Sequence, residues 1–350
     1  MNKKRILSGM RPTGKLHLGH LVGALTNWTK LQDEYECFFM VADWHALMSE
    51  YENPADLQAN MLDNVSDWLA CGIDPEKSVI FIQSQVPEHL ELYFMLSLIT
   101  PLGLLERCPT YKEQLRQVVN RDLSTYAFLG YPVLQAADIL LYKADGVPVG
   151  EDQLPHLELT RQIVRKFNHL YPVIGRTPEA SDGCLRQPAS NGVYKTTCFT
   201  EPKALLTQTT RLLGLDGRKM SKSYNNYIAL SDTPEIIRKK VQSMFTDPER
   251  IRVTDRGHPD KCNVFSYYAA FFPSLENQVH QRCANAMIGC TECKKELAAL
   301  LVNLLAPIQE KRLVLQKDKN YLLEILSAGR QKASVLAKKT IAEVKGLLKI

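Results

Sequence analysis

The sequence predicts an α/β fold, with a doubly wound parallel sheet in the first two thirds and an all-helical C-terminal domain after it. Three observations predict this. Short, almost continuously apolar runs recur at "RILSG" (5–9), "CFFMVAD" (37–43) and "SVIFIQS" (78–84); strands covered on both faces read this way, which is the parallel-sheet pattern. Longer helical patterns separate them, and such alternation winds a parallel sheet with ligands at the carboxyl ends of its strands. After about residue 232 every pattern is helical.

The elements follow in order. The first strand runs into "GMRPTGKLHLGHLVGAL", where Gly9 and Gly14 bracket a loop suited to close approach. In "PADLQANMLDNVSDWLACG", Leu57, Met61, Leu62, Val65, Trp68 and Leu69 recur at helical spacing, and Gly72 stands where the helix should end. From about 173 to 200 the pattern fails and reads as an exposed insertion or loop. Ser231 or Asp232 then offers an N-cap, with Pro234 and Glu235 in the first turn. Two domains result, 1–232 and 233–350.

Hydrophobic content of 45% with 23% charged residues is that of a soluble globular protein, and 350 residues suffice for two domains. The longest apolar run, near 297–306, is interrupted by Asn303 and is too short to span a bilayer. No membrane is expected. "MNKKRILSGMRPTG" lacks the apolar stretch of a signal peptide, so the chain is expected in the cytosol, where stable disulfides are rare. The net charge of +5 is modest, but from Arg330 onward Lys332, Lys338, Lys339, Lys345 and Lys349 join it against Glu343 alone. As a helix this is a basic surface suited to phosphates, or a solvated terminal face.

Chemistry concentrates in two places. His17 and His20 stand three apart at the start of a helix, with Gly19 between them leaving room for a planar ring. A strand, a glycine-bearing loop and a helix N-terminus form an anion site. Two hundred residues later, "GLDGRKMSKSYNN" sets Lys219 and Lys222 around Met220 and Ser221 in a polar loop, where ammonium groups can follow charge among phosphate oxygens.

"HLGH" (17–20) resembles the HIGH signature, and "KMSKS" (219–223) matches the second signature, of class I aminoacyl-tRNA synthetases. Their order and separation resemble the small subclass for tryptophan and tyrosine. "YPVLQAADILLY" (131–142) followed by "GVPVGEDQ" (146–153) is similar to the tryptophanyl rather than the tyrosyl enzymes. The resemblance covers most of the chain apart from 173–200. It implies a Rossmann-like catalytic domain and a helical domain that reads the anticodon. It also implies L-tryptophan, ATP with Mg²⁺, and tRNA(Trp) as ligands, and a homodimer. Asp138 would accept the indole N–H, and Tyr131, Gln135, His45 and Gln153 would line the tryptophan pocket, Gln135 standing where many members carry methionine. Arg11, Pro12, Thr13, Gly19, His20, Gly150, Glu151 and Asp152 would contact ATP, together with Lys219, Met220, Ser221, Lys222 and Ser223. His17, His20, Lys112, Lys219 and Lys222 would stabilise the reacting phosphates. Physical chemistry agrees on Asp138: a carboxylate in a nearly all-apolar helix needs a specific donor, and indole nitrogen only donates.

Of nine cysteines, Cys37, Cys71, Cys108, Cys184 and Cys198 are scattered, the first two as small core residues. Cys262, Cys283, Cys290 and Cys293 form a set, with intervals of twenty, six and two residues. In a cytosolic chain this points to a metal site rather than to disulfides. One unbroken helix would put Cys283 and Cys290 about 10 Å apart, so a break is expected at Gly289. Four thiolates suit tetrahedral zinc or an iron–sulfur cluster. A subset of bacterial tryptophanyl-tRNA synthetases has a similar spacing, which implies a 4Fe–4S cluster, with zinc the alternative.

Three functions remain to be separated: a tRNA ligase, a tRNA-free nucleotidyltransferase of the same superfold, and a non-catalytic iron–sulfur tRNA-binding regulator derived from a synthetase. The second leaves KMSKS, Asp138 and the helical basic domain unexplained, and the intact Lys219 and Lys222 count against the third.

Overall fold

The computed structural model describes residues 3–117, 122–175, 187–188, 194–206, 212–218, 220 and 224–350. β1 (Arg5–Met10) leads into one long helical stretch: α1 (Leu18–His20), a π-helical segment (Leu21–Leu25) and α2 (Thr26–Glu34). β2 (Glu36–Val41), α3 (Asp43–Glu50), α4 (Leu57–Ala70) and β3 (Ser78–Ile82) follow. Then come α5 (Glu88–Ser97), α6 (Leu102–Glu106), α7 (Pro109–Gln117), α8 (Tyr126–Leu141), β4 (Gly146–Val149) and α9 (Leu154–Leu170). β5 (Val173–Gly175), β6 (Gln187–Pro188), β7 (Tyr194–Thr196) and β8 (Lys203–Leu206) precede the helical half. That half holds α10 (Pro234–Gln242), α11 (Asn263–Phe271), α12 (Pro273–Ala284), α13 (Cys290–Lys317) and α14 (Lys319–Leu348).

Five strands make a sheet in the order β3-β2-β1-β4-β8, every pair parallel. The order reverses at β1, so a crevice opens between the carboxyl ends of β1 and β4. The expectation of a parallel sheet holds, with strands at 5–10, 36–41 and 78–82. The 173–200 stretch is not a loop throughout. β5, β7 and β6 pair antiparallel in a second small sheet. Strands of two or three residues are too short to show a period.

One core, holding Trp28 stacked on Phe39 at 4.3 Å and Trp68, joins the sheet to α2, α4, α10, α11 and α13. A second core joins the other face to α5, α8 and α9. α14 belongs to both. Its Leu322, Ile325 and Leu326 pack in the first core, and Ala333, Ala337, Ile341 and Val344 in the second. It crosses the sheet edge at Gly329, where a Cβ would lie 1.8 Å from the Ile80 carbonyl oxygen. This helix therefore covers the outer strand β3, whose unpaired edge would otherwise be exposed. By packing, the last helix lies against the sheet as well as against the helical half. Of its basic side chains Lys345 pairs with Glu91 at 2.6 Å, while Arg330, Lys332, Lys338, Lys339 and Lys349 are exposed.

Two local expectations shift. The N-cap of α10 is Thr233, whose Oγ1 accepts from the Ile236 N–H, whereas Asp232 takes Lys240 at 2.6 Å. The break between Cys283 and Cys290 comes earlier than Gly289: Ala286 takes φ +57°, and Gly289 is the extended N-cap of α13. No described helix is long and apolar enough to cross a membrane.

Candidate active site

The crevice holds a cavity of about 360 Å³, within the size range of ligand pockets. Ser8, Gly9, Val147, Val149 and Gly150 bring it the ends of β1 and β4, and α8 supplies Tyr131, Gln135 and Asp138 along one face. His45, Gln153 and Arg11 also line it. All five residues expected to hold tryptophan are therefore brought together.

Asp138 is 2% exposed and held from several sides. His89 Nδ1 lies 2.6 Å from its Oδ1, Gln83 Nε2 lies 2.9 and 3.0 Å from its two oxygens, and His45 Nε2 is 2.9 Å from Oδ2. Burial pushes its carboxyl pKa up, but His89 and His45 outweigh that and hold it below the usual carboxylate value. Tyr142 Oη sits 2.7 Å from His89 Nε2, and burial keeps that phenol protonated. Ionised Asp138 can only accept, so His89 Nδ1–H donates to it, with Tyr142 on the other ring nitrogen. His45 lines the cavity beside Asp138, while Gln83 and His89 support the carboxylate from outside the lining.

Gln83 and His89 were missed in the sequence. Gln83 directly follows β3 and so stands at a strand's carboxyl end, which is a usable signal; nothing singled out His89. His156 was missed as well. It lines the cavity, 2.7 Å from Tyr131 Oη and 3.0 Å from Thr110 Oγ1.

At the other motif, His17 is the N-cap residue rather than part of α1, yet the two imidazoles still meet, 3.8 Å apart. The His17 backbone N–H donates to His20 Nδ1 at 3.1 Å. A nitrogen that accepts cannot carry the proton, so neutral His20 presents Nε2–H as its donor. A Cβ on Gly19 would come within 3.0 Å of the His17 ring and 3.1 Å of Met220 Sδ. Glycine thus lets the two signature motifs close on one another. Backbone bonds repeat the link, Leu18 N–H to Ile228 O and Leu230 N–H to Leu16 O. Lys219, Ser221, Lys222 and Ser223 lie outside the described residues, as does Cys184. Lys112 is exposed on α7 and does not line the cavity, nor do Pro12, Thr13, Glu151 or Asp152. Asp152 instead accepts from Gln153 Nε2 at 3.0 Å.

The four-cysteine set converges away from this cavity. Cys262 is the N-cap of α11, Cys290 and Cys293 open α13, and Cys283 lies in the last turn of α12. Two helix N-termini therefore face one group of sulfurs, an arrangement that favours negative charge. Arg250 Nη1 is 3.8 Å from Cys283 Sγ, and a Cβ on Gly257 would lie 2.4 Å from that sulfur. Burial, with Cys262 and Cys283 adding, pushes the Cys293 thiol up to about 12. Without a cation to share, such thiols stay protonated. Among the described residues no three of these sulfurs lie within 4.8 Å of one another.

Comparison with known proteins agrees with the geometry. The family model for "tRNA synthetases class I (W and Y)" matches residues 1–306. The tryptophan–tRNA ligase of Thermotoga maritima is 49% identical, over 97% of this chain and 98% of its own length. That of Aquifex aeolicus is 42% identical over 97% and 98%. The crystal structure of tryptophanyl-tRNA synthetase from Campylobacter jejuni complexed with ADP and tryptophan superposes with a TM-score of 0.83 at 31% identity, covering 99% of this chain and all of that one. The chain belongs to the class I tRNA synthetases of the tryptophan and tyrosine type, in the tryptophanyl-tRNA synthetase family.

Proposed function

We propose that the cavity between β1 and β4 activates L-tryptophan with ATP and that the product is transferred to tRNA(Trp). The observation that carries the reading is Asp138: a buried carboxylate held ionised by His89 and His45 lines the cavity and offers an acceptor to the indole N–H. An amino acid without that donor forfeits the bond to the buried carboxylate, and sites that read a substrate N–H in this way can reject it by roughly 10⁴–10⁵. In the first step the tryptophan carboxylate attacks the α-phosphorus in line, forming tryptophanyl-adenylate as the bond to pyrophosphate breaks. In the second, a 2′- or 3′-hydroxyl at the tRNA end takes the aminoacyl group and AMP leaves. Positioning and charge stabilisation supply the rate. His20 Nε2–H and the helix N-terminus at His17 hold phosphate oxygens, Met220 seats the second motif, and Lys219, Lys222 and Lys112 bring positive charge to the leaving pyrophosphate. Mg²⁺ carried on the triphosphate supplies further charge neutralisation. Lys222→Ala should slow adenylate formation severely in single-turnover measurements; an unchanged rate would refute this assignment.

Residues 233–350 take the anticodon, with the exposed cations of α14 available to the tRNA backbone. Cys262, Cys283, Cys290 and Cys293 hold a 4Fe–4S cluster that steadies this region, remote from the adenylation chemistry. Four thiols gathered at the starts of α11 and α13 and in the last turn of α12 support a metal site, with zinc as the alternative occupant. Anaerobic purification should give a brown protein with about four irons per chain; a colourless protein with stoichiometric zinc would overturn the assignment. Leu90, Phe94, Leu98 and Leu102 form an exposed apolar row along α5 and α6, which supports a homodimer. Its mass in solution would be twice 39.6 kDa, and Phe94→Asp should shift it toward the monomer.

A further inference from the structure

The polar end of the cavity has a defined direction. Tyr131, Gln135 and Asp138 lie at i, i+4 and i+7 of α8 and line one side of the slot, so Tyr131 and Asp138 stand about 10 Å apart along the helix. A tryptophan whose indole nitrogen meets Asp138 therefore places its ammonium and carboxylate toward Tyr131. One of these must be held there, and the other must be free to attack phosphorus.

His156 decides which. Its Nε2 is 2.7 Å from Tyr131 Oη and 3.0 Å from Thr110 Oγ1. The residue is 2% exposed. Burial, then the charge of His45, lowers its pKa to about 4 against a smaller opposing effect of Asp152, so the ring is neutral. Thr110 Oγ1 also lies 3.5 Å from Nδ1 and can take the proton that the neutral ring carries there, which leaves the Nε2 lone pair to the nearer hydroxyl, that of Tyr131, as the acceptor of its single hydrogen. The phenolic oxygen then has only lone pairs left to offer the cavity. A group that only accepts attracts an ammonium and repels a carboxylate.

We infer that His156 is a positioning residue: by accepting the Tyr131 hydroxyl it turns Tyr131 into a pure acceptor for the substrate ammonium, and so leaves the carboxylate pointing away as the nucleophile. The inference rests on the reading of Asp138 as the indole partner. A charged or reversed imidazole would make Tyr131 a donor and invite the carboxylate into the same place.

The test compares three ligands: tryptophan, tryptamine, which keeps the ammonium and lacks the carboxylate, and indole-3-propionate, which lacks the ammonium. In His156→Leu the KM for tryptophan in ATP–pyrophosphate exchange should rise about tenfold, the loss of one hydrogen bond to a charged group. The KM for ATP should hold. Tryptamine should weaken in parallel, and indole-3-propionate should not. His156→Gln, whose amide oxygen can accept the hydroxyl, should recover most of the affinity, and Tyr131→Phe should add little to His156→Leu. Equal weakening of tryptamine and indole-3-propionate, or no recovery in His156→Gln, would make His156 merely structural and overturn the inference. Asp138→Asn tests the underlying reading separately, because it should weaken all three ligands whatever His156 does.

Discussion

Arg312→Leu should be among the most damaging single changes outside the active site. Arg312 joins α13 to α4: its Nε donates to Asp67 Oδ1 at 2.6 Å, one Nη to Asp63 Oδ1, and the other to Gln316 Oε1 at 3.0 Å. Arg312 is 9% and Asp67 1% exposed, so water cannot replace the guanidinium. Removing one partner of a buried ion pair costs about 3–5 kcal/mol, because the remaining charge loses its counter-charge where water cannot substitute. The Asp63 branch is more accessible, and Gln316 Nε2 still reaches it at 2.6 Å, so it adds little. A loss of about 3 kcal/mol is a large share of a typical stability of about 5–15 kcal/mol. Urea unfolding of the single and double variants reads it. Arg312→Leu with Asp67→Leu should regain most of the loss, since apolar contacts can stand in for a buried pair. A single variant within about 1 kcal/mol of the parent, or a double variant worse than the single, would refute this reasoning.

Two further outcomes follow from packing and titration. Gly329→Ala should cost about 3 kcal/mol or more, because the added Cβ meets the backbone of Ile80 rather than a movable side chain; a melting temperature within about two degrees of the parent would contradict the crossing. His156 has a folded-state pKa of about 4, below the unfolded value of about 6.5. The unfolded chain therefore binds more protons between those limits, so stability falls as pH drops through that window. This one group accounts for about 2 kcal/mol at about pH 5 relative to neutrality. Substituting His156 should flatten that part of the stability–pH curve, and an unchanged slope would count against its burial as a neutral ring.

The legible parts of the fold were those with a repeated physical signal. β1, β2 and β3 announce themselves because burial on both faces demands continuous apolar side chains. β4 does not, with four residues including Pro148, and β8 is equally short. α14 reads as a solvated basic helix by charge, yet Gly329, Ala333 and Ala337 at four-residue spacing mark a face narrow enough to cross a sheet edge. Asp138 stands out as a carboxylate in an apolar helix. Its donors Gln83 and His89 come from a strand end and the next helix, and no local pattern announces a contact across fifty residues. Gly289 looked like the break between the cysteines by composition, but Ala286 takes the left-handed turn, at a cost that tertiary packing must offset.

The most direct measurement is ATP–pyrophosphate exchange with tryptophan against its benzothienyl analogue, in which sulfur replaces the indole N–H. The parent enzyme should use tryptophan with a kcat/KM higher by about 10³-fold or more, since the analogue leaves Asp138 facing a group that cannot donate. Asp138→Ala should lose most of that preference. Comparable use of both amino acids by the parent, or a preference that survives in Asp138→Ala, would contradict the claim that this carboxylate reads the indole nitrogen.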